Sequence, residues 1–292
     1  MLNQTQINRL KAVRAYVAAH YSQPVQMSDI EAVACYSYRN INRIYKAVYK
    51  ESVGESLQRL RIEAQAKAIL YTATSITEIA YQAGFSDLQA FNKAFKKLYG
   101  QSPLQYRKQK TMQARKWLAL NEQKIMEATK QLQYRTETVP DLNVVYLAYQ
   151  GQYDDEAIQQ HWQSLLEYAS KHQLIDDQSV YFGEVLDDED TTHLDRCRYN
   201  CAITLKEGQQ HSPEGFVQQK TIASRHYAVF THQGPYNSMQ TTYELIYGHW
   251  LLQKPFDLED APVLEFYLND EAQVTASELL TEIYVPIKPQ AQ

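Results

Sequence analysis

The sequence predicts two domains of different class: an all-α domain over residues 1–112 and an α+β domain over residues 136–290, joined by a linker at 113–135. In the first range, apolar residues recur at helical spacing in short segments separated by turns. In the second, β-branched and aromatic strands alternate with amphipathic helices, and this order occurs twice. A chain of 292 residues is long enough to bury two separate hydrophobic cores.

A short helix and a tight turn are predicted near the middle of the first domain. Ser75 can cap a helix that directs Ile79 and Ala80 inward. Gly84 permits the tight turn that follows, because glycine adopts backbone conformations that other residues avoid. Phe85 then fills the angle between this helix and the next one. The pattern is typical of a helix-turn-helix.

The second helix of this unit is predicted to open at Ser86 and to direct Phe91 and Phe95 toward a core. Its opposite face is polar and can donate to base edges and phosphates, as a recognition helix must. For any single Lys or Arg, a solvated helix surface is the better explanation, but it does not explain the collective pattern on two predicted recognition helices. The predicted DNA contacts of this helix are Leu88, Gln89, Asn92, Lys93 and Lys96.

A similar unit is predicted upstream. Residues 27–34 form a first short helix, Cys35 lies in the turn, and Ser37 caps a second helix. The inward residues of that helix are Ile41, Ile44, Tyr45 and Val48. Its predicted DNA contacts are Tyr38, Arg39, Asn42, Arg43 and Lys46. Residues 56–71 contain neither Gly nor Pro, so one continuous helix should connect the two units.

The run from Ile76 to Arg107 resembles the signature of the AraC/XylS family of bacterial transcription regulators. That resemblance implies two helix-turn-helix units on one linker helix, double-stranded DNA as ligand, RNA polymerase as partner and a role in activation. The sequence departs from the family pattern at two positions. Cys35 and Lys50 stand where glycine is usual, and we expect both to adopt left-handed or alternative turns at modest cost.

The distribution of charge favours a nucleic-acid partner for the first domain. Residues 1–116 hold 18 Lys and Arg against 7 Asp and Glu, a net of +11, whereas the remaining 176 residues have a net of −16. The overall charge of −5 conceals this division. A basic domain suits a polyanion, and the acidic domain limits indiscriminate adhesion to nucleic acid.

The second domain carries an internal repeat. The strand and turn that end in Tyr149-Gln-Gly-Gln-Tyr153 return 83 residues later as a strand and turn that end in His232-Gln-Gly-Pro-Tyr236. An amphipathic helix and further strands follow each copy, the last of them at 263–270 and 279–288. The repeat predicts a pseudo-two-fold α+β domain with a crevice near its symmetry axis.

The closing strands and Gly234-Pro235-Tyr236 together resemble the GyrI-like domain, over roughly residues 134–288. The resemblance implies a domain that binds a small-molecule effector, and in related multidrug-binding regulators a glutamate of the strand that holds Glu265 meets a cationic ligand. Hydrolysis, with Glu265 and Tyr227 activating water, and binding of a protein such as a topoisomerase remain alternatives.

Strand alternation places Glu265 with Tyr267 on one face, and Glu282 with Tyr284 on one face of the last strand. A carboxylate buried among tyrosines is costly unless it is hydrogen-bonded or neutralised, so a lipophilic organic cation could supply the missing charge. The alternative is that the glutamates are exposed at the sheet rim and the tyrosines are core residues. The predicted ligand contacts are Glu265, Glu282, Tyr146, Tyr149, Tyr227, Tyr267, Tyr284 and Trp250.

Other classes of protein receive little support. The eight histidines show no zinc-site spacing, and the sequence contains neither a glycine-rich phosphate loop nor a Gly-x-Ser-x-Gly elbow, so we expect no metal, no cofactor and no catalytic residues. Cys35, Cys197 and Cys201 are interpreted as packing residues in a reducing compartment. Without a signal peptide or an apolar run of membrane-spanning length, a cytoplasmic location is expected.

Overall fold

The structure of the protein, a computed structural model, describes residues 4–112, 132–153, 155–189, 191–206, 209, 211–251 and 256–288. The chain divides into two compact units, residues 1–113 and 114–292. The first is all-α and the second is α+β with an internal two-fold repeat, so the predicted fold classes are confirmed. Most of the predicted linker at 113–135 lies outside the described residues.

The first unit consists of seven helices over the described residues. Their bounds are α1 Gln4–His20, α2 Met27–Ala34, α3 Tyr38–Tyr49, α4 Val53–Tyr71, α5 Ile76–Gln82, α6 Leu88–Tyr99 and α7 at 103–112. Helix α4 is the predicted continuous connection, and it begins three residues earlier than Ser56. Its first half contributes Leu60 to a core with α1, α2 and α3, and its second half contributes Ile69 to a core with α5 and α6.

The turns of the two helix-turn-helix units use left-handed backbone conformations. Cys35 and Lys50 have φ values of 51° and 61°, and Gly84 and Gly100 have 79° and 74°. Of the two alternatives expected for Cys35 and Lys50, both residues adopt the left-handed one. For an L-residue with a side chain, this region costs about 1–2 kcal/mol per residue.

Helix caps follow the sequence predictions in part. The Ser75 Oγ accepts a hydrogen bond from the Glu78 N–H at 3.2 Å, as expected. Ser37 occupies the cap position of α3, but its side chain makes no capping bond, and the Glu31 carboxylate accepts from the Tyr38 N–H at 2.7 Å instead. Helix α6 is capped by Asp87, one residue after the predicted start.

A buried polar network fixes the N-terminal half of α4. Arg59 lies between the carboxylates of Glu51 and Glu63, at 2.9 Å and 2.7 Å. Glu51 also accepts a hydrogen bond from the Ser56 hydroxyl at 2.6 Å, and Ser56 lies 3.2 Å from the Tyr45 hydroxyl of α3. Glu63 is only 4% exposed, and the adjacent guanidinium of Arg59 offsets the cost of burying its charge.

The second unit is built on one eight-stranded antiparallel sheet. Its strands are β1 Tyr134–Val139, β2 Leu142–Gln150, β3 Tyr181–Val185, β4 Arg198–Thr204, β5 Gln218–Ile222, β6 Arg225–Gln233, β7 Val263–Tyr267 and β8 Leu280–Pro286. The order across the sheet is β1-β6-β8-β7-β3-β4-β2-β5. The order is symmetric about the β7–β3 pair, with β1, β6, β8 and β7 equivalent to β5, β2, β4 and β3.

The sheet is strongly curled. Strands β1 and β2 are six positions apart in the sheet, about 29 Å if it were flat, yet only residues 140 and 141 connect them. Two residues span at most about 10 Å, so the two ends of the sheet must approach each other. Strands β5 and β6 repeat this connection with residues 223 and 224, and the Ser224 N–H donates to Asp141 Oδ1 at 2.6 Å.

The two faces of the sheet have different surroundings. One face packs against helix α8 Asp155–Lys171 and carries Leu147, Cys201 and Ile203. Its second half holds helix α9 Met239–Leu245, which continues into a π-helical turn, Ile246–Trp250. We call this the helix face. The other face, called the inner face, encloses a separate buried cluster of Val144, Phe182, Ala202, Tyr227, Val229, Leu264 and Tyr284.

Candidate functional site

The outer surface of α3 carries exposed basic groups. Arg39, Arg43 and Lys46 are exposed, and none of them forms an ion pair within residues 4–112. Tyr38 is half-buried and packs against the N-terminal core, so only part of this side chain is available to DNA. Val48, expected to point inward, is 43% exposed, because the inward positions of α3 end with the buried Tyr45.

Asn42 differs from the other predicted contacts of α3. It is half-buried, and its Oδ1 accepts a hydrogen bond from the Val53 N–H at 2.9 Å. Val53 is the first residue of α4, where backbone N–H groups have no partner within the helix. The structure therefore gives Asn42 a capping role.

The outer surface of α6 presents a second polar set. Gln89, Lys93 and Lys96 are exposed, and Asn92 is half-buried beside them. Leu88 is half-buried and packs on the core formed with α5, so this leucine resembles Tyr38 of α3 in its position. Within residues 4–112, the side chains of Gln89 and Asn92 make no hydrogen bond, which leaves both amides available to an external ligand.

A buried carboxylate marks the pseudo-two-fold axis of the second unit. Glu265 of β7 pairs across the sheet with Gly183 of β3, its equivalent in the repeat, and is 5% exposed. Its oxygens accept hydrogen bonds from the hydroxyls of Tyr243, at 2.6 Å, and Tyr267, at 3.0 Å. Burial raises the pKa of Glu265, although both hydroxyls act to lower it. No Lys, Arg or His of the described residues forms an ion pair with this carboxylate.

Aromatic rings surround Glu265 on the helix face. The hydroxyls of Tyr199 and Tyr267 lie 2.5 Å apart, and the Tyr267 ring meets Trp162 edge-on at 5.7 Å and Tyr236 at 5.4 Å. Burial raises the pKa of Tyr199, Tyr243 and Tyr267 well above that of a free tyrosine, so all three stay protonated and can donate. The Tyr199 ring covers Gly183, where a Cβ would overlap the tyrosine hydroxyl.

Four of the predicted ligand residues lie on the inner face, away from Glu265. Tyr284 pairs with Leu264, which is the neighbour of Glu265 along β7. Because side chains alternate along a strand, Leu264 and Tyr284 lie on one face of the sheet and Glu265 lies on the other. Glu282 is bound by both terminal nitrogens of Arg135, at 2.6 Å and 3.0 Å, which lowers its pKa. Glu282 is therefore already neutralised and does not act as a reserve for Glu265. Tyr146 and Tyr227 complete this inner group.

Tyr227 cannot assist Glu265 in activating water. Glu265 pairs with Ile283, which pairs in turn with Phe230, so Glu265 shares a face with Phe230. Tyr227 is an odd number of residues from Phe230 along β6 and faces the other way. The structure therefore overturns the pairing that the hydrolase hypothesis requires.

The remaining two predicted ligand residues lie on the helix face but do not contact Glu265. The Tyr149 hydroxyl donates to the Gln152 carbonyl at 2.6 Å, and its ring meets His161 edge-on at 5.0 Å. Trp250 packs against Phe230 and Tyr134, with ring centroids 4.8 Å and 4.9 Å away. Of the other seven predicted residues, only Tyr267 thus contacts Glu265 directly, whereas Glu282, Tyr227 and Tyr284 contact one another on the inner face.

Comparison with known families agrees with this geometry. The GyrI-like small molecule binding domain matches residues 132–288, which is more than half of the chain. The chain belongs to the GyrI-like family. A helix-turn-helix domain also matches residues 30–109, so an AraC-type helix-turn-helix domain precedes the GyrI-like domain.

The curated relatives match the first domain. The Right origin-binding protein of Escherichia coli (strain K12) is 33% identical over 93 residues, which cover 32% of each chain. The putative HTH-type transcriptional regulator YkgA of the same strain is 31% identical over 98 residues, covering 34% of this chain and 41% of the relative. The chain thus spans about a third of the length of the relatives it matches. An EcmrR–DNA complex is similar over 91% of this chain and all of that chain, with 16% identity and a TM-score of 0.49, which is too low to support a functional argument.

Sequence reasoning missed most of the aromatic residues of the GyrI-like domain that surround Glu265. Tyr199, Tyr236 and Tyr243 come from β4, the turn after β6 and α9, and only the folded sheet brings them together. One signal was present in the sequence, because Tyr236 closes the second copy of the repeated turn. Its counterpart Tyr153 also faces this cluster, with its ring 6.1 Å from that of Tyr199.

Among the described residues, no three His, Cys, Asp or Glu side chains come together as a metal site would require. Cys197 and Cys201 are buried, as expected of packing residues, whereas Cys35 is exposed in its turn. None of the helices in the described part of the chain has the length and apolar character needed to cross a membrane.

Proposed function

We propose that this protein is a sequence-specific DNA-binding transcription regulator whose GyrI-like domain binds a lipophilic organic cation. The names of its relatives support the first half, since they include an origin-binding protein and transcriptional regulators. The matched segments cover the helix-turn-helix domain and only about a third of each relative. The proposed ligand class therefore rests on the residues of this chain.

The DNA-binding proposal rests on the exposed faces of α3 and α6. Both helices hold apolar residues inward and leave basic or amide side chains outward without ion-pair partners in residues 4–112. Two recognition helices in one chain can occupy successive major grooves on one face of DNA, about 34 Å apart. The net charge of +11 over residues 1–116 supplies the phosphate attraction.

The ligand proposal rests on one observation: Glu265 is a buried carboxylate that has two tyrosine hydroxyls but no cationic partner among the described residues. The hydroxyls satisfy hydrogen bonding at Glu265 but leave its charge uncompensated in a medium of low dielectric. A lipophilic cation would supply that charge, and the rings of Trp162, Tyr236 and Tyr267 would give it cation–π contacts. A neutral or anionic ligand would leave the charge uncompensated.

Activation through RNA polymerase is the proposed mode of regulation. It follows the resemblance of the first domain to AraC/XylS regulators. Run-off transcription from a bound promoter, with and without ligand, tests it directly. An increase in transcript supports activation, and a decrease on a template with the same site identifies a repressor.

A thermal-shift titration tests the ligand site. Tetraphenylphosphonium should stabilise the wild-type protein saturably, and tetraphenylborate, which has the same shape and the opposite charge, should not. The Glu265→Gln variant should bind tetraphenylphosphonium with an apparent affinity about tenfold or more weaker, because the ring contacts remain but the negative charge is gone.

Glu282→Gln is the matched control, since Glu282 lies on the inner face and is already paired with Arg135. It should bind the cation like the wild type. Equal stabilisation by tetraphenylborate, or equal loss in both variants, would contradict a cation site at Glu265.

A further inference from the structure

The two recognition helices are structural repeats that are 50 residues apart. Asn42 corresponds to Asn92, Arg43 to Lys93, and the buried Tyr45 to Phe95. Each helix ends in a left-handed residue, Lys50 or Gly100. Side chains at equivalent positions should therefore meet DNA in the same way unless local contacts prevent it.

Such a contact exists for Asn42. Its amide oxygen accepts from the N–H of Val53, the first residue of the helix that follows α3. Breaking this bond would leave a helix-terminal N–H without a partner, which costs free energy where water is excluded. Asn42 is thus held as a cap on α4, and its amide oxygen is already engaged.

The equivalent contact cannot form in the second unit. The residue that corresponds to Val53 is Pro103, which opens α7 and has no N–H to donate. Asn92 makes no side-chain hydrogen bond within residues 4–112. Asn92 therefore lacks this bond because Pro103 has no N–H, whereas Asn42 accepts a hydrogen bond from Val53.

We propose that the two helices read different bases: α6 reads adenine through Gln89 and Asn92, and α3 reads guanine through Arg39 and Arg43. This inference rests on the proposed DNA-binding function. Asn and Gln form paired hydrogen bonds with the N6 and N7 of adenine, and Arg or Lys forms them with the O6 and N7 of guanine, so Lys93 can add a guanine to the adenine that α6 reads. Gln89 and Asn92 are three residues apart and share one face of the helix.

Asn40 is the residue of α3 that most directly challenges this division, because it is exposed and carries an amide. Its counterpart in α6 is the half-buried Ala90. The position therefore lies beside the outward face rather than at its centre. The proposal requires that Asn40 contribute no base preference, which makes Asn40→Ala a test in its own right.

The test is selection of binding sites from randomised DNA by the full-length protein and its variants. The wild type should select an asymmetric site with guanine in one half and adenine in the other. Asn92→Ala should reduce discrimination for adenine at one position by about tenfold or more and leave the guanine half unchanged. Asn42→Ala should lower affinity without changing any base preference, and Asn40→Ala should change neither.

Pro103→Ala gives an independent readout that does not remove a polar side chain. It restores an N–H at the start of α7, which Asn92 can then cap, so the adenine preference should weaken although Asn92 is still present.

If no sequence is enriched at all, the proposed DNA-binding function is wrong. If a motif is enriched but Asn92→Ala and Pro103→Ala leave it unchanged, or if Asn40→Ala removes an adenine, only this inference is overturned.

Discussion

Glu265 and Glu282 show how two carboxylates in one sheet acquire opposite electrostatic properties. Burial raises the pKa of Glu265, whose oxygens accept from two tyrosine hydroxyls, and the guanidinium of Arg135 lowers the pKa of Glu282. The difference comes from the faces of the sheet on which they lie. Arg135 compensates the charge of Glu282, whereas no cationic group among the described residues compensates that of Glu265.

The pH dependence of stability should therefore differ in sign between the two residues. The folded protein holds the Glu265 proton at pH values where the unfolded chain has released it, so Glu265 lowers the free energy of unfolding as pH rises above the unfolded pKa of about 4.3. Relative to the wild type, Glu265→Gln should gain stability between about pH 4 and neutral pH. Urea unfolding of the ligand-free protein across this range measures it.

Glu282→Gln should behave in the opposite way. Because its folded pKa is lowered, Glu282 contributes stability above the unfolded pKa, and that contribution is lost as pH falls through the folded pKa. The variant should be less stable than the wild type at neutral pH and should approach it in acid. For Glu265, parallel profiles of unfolding free energy against pH in the wild type and Glu265→Gln would contradict the raised pKa.

Gly183 offers a second test at the level of one residue. A Cβ at this position would overlap the hydroxyl and ring of Tyr199, which is buried and bonded to Tyr267. Gly183→Ala should therefore displace Tyr199 and destabilise the protein by about 1–3 kcal/mol. Urea unfolding provides the measurement. Gly248→Ala is the control, since a Cβ there meets no atom within 4 Å, and equal behaviour of the two variants would contradict the overlap.

At the scale of elements, α4 determines how the two helix-turn-helix units are joined. It contributes to both helical cores, and the Glu51–Arg59–Glu63 network anchors its first half. Two carboxylates share one guanidinium there, and Arg59 is largely buried at 14% side-chain exposure. Arg59 therefore joins the segment before α4, through Glu51, to the first half of the helix.

Replacing that cation should be costly. Arg59→Met keeps the apolar stem but removes the guanidinium that pairs with the buried carboxylate of Glu63, and we expect a loss of about 3–5 kcal/mol in the free energy of unfolding. The double variant Arg59→Met with Glu63→Gln should recover part of this loss, because no buried charge then remains at position 63. Urea unfolding of the four proteins completes the cycle. Additive losses would show that Arg59 and Glu63 are not coupled.

Sequence patterns predicted the elements better than their assembly. Helical periodicity gave the inward Phe91 and Phe95 of α6, and alternation gave the shared face of Glu265 and Tyr267, because both signals are local. The first strand of each repeat pairs with the other repeat, β1 with β6 and β5 with β2. This pairing was not predicted, and neither was the face on which Tyr227 lies. Both depend on strand order and register, which no local pattern encodes.

The same limit explains the two asparagines. Asn42 and Asn92 occupy equivalent outward positions, so periodicity assigns them the same role. What separates them is the residue 11 positions later, valine in one unit and proline in the other. The distinction becomes visible only when the start of the next helix is placed against the asparagine.

At the scale of the whole molecule, two unlike recognition helices in one chain should make a dimer unnecessary for binding. One protein should protect an asymmetric site with two half-sites about 10 base pairs apart, as a one-to-one complex by sedimentation. Inverting one half-site should weaken binding by about a hundredfold or more, because several base contacts are lost while phosphate contacts persist. Mobility-shift titration at fixed salt measures this loss, and a base substitution in the spacer between the two half-sites is the control. An obligate palindrome bound by two chains would instead show that each chain uses one helix-turn-helix unit, and the difference between α3 and α6 would then have no role in recognition.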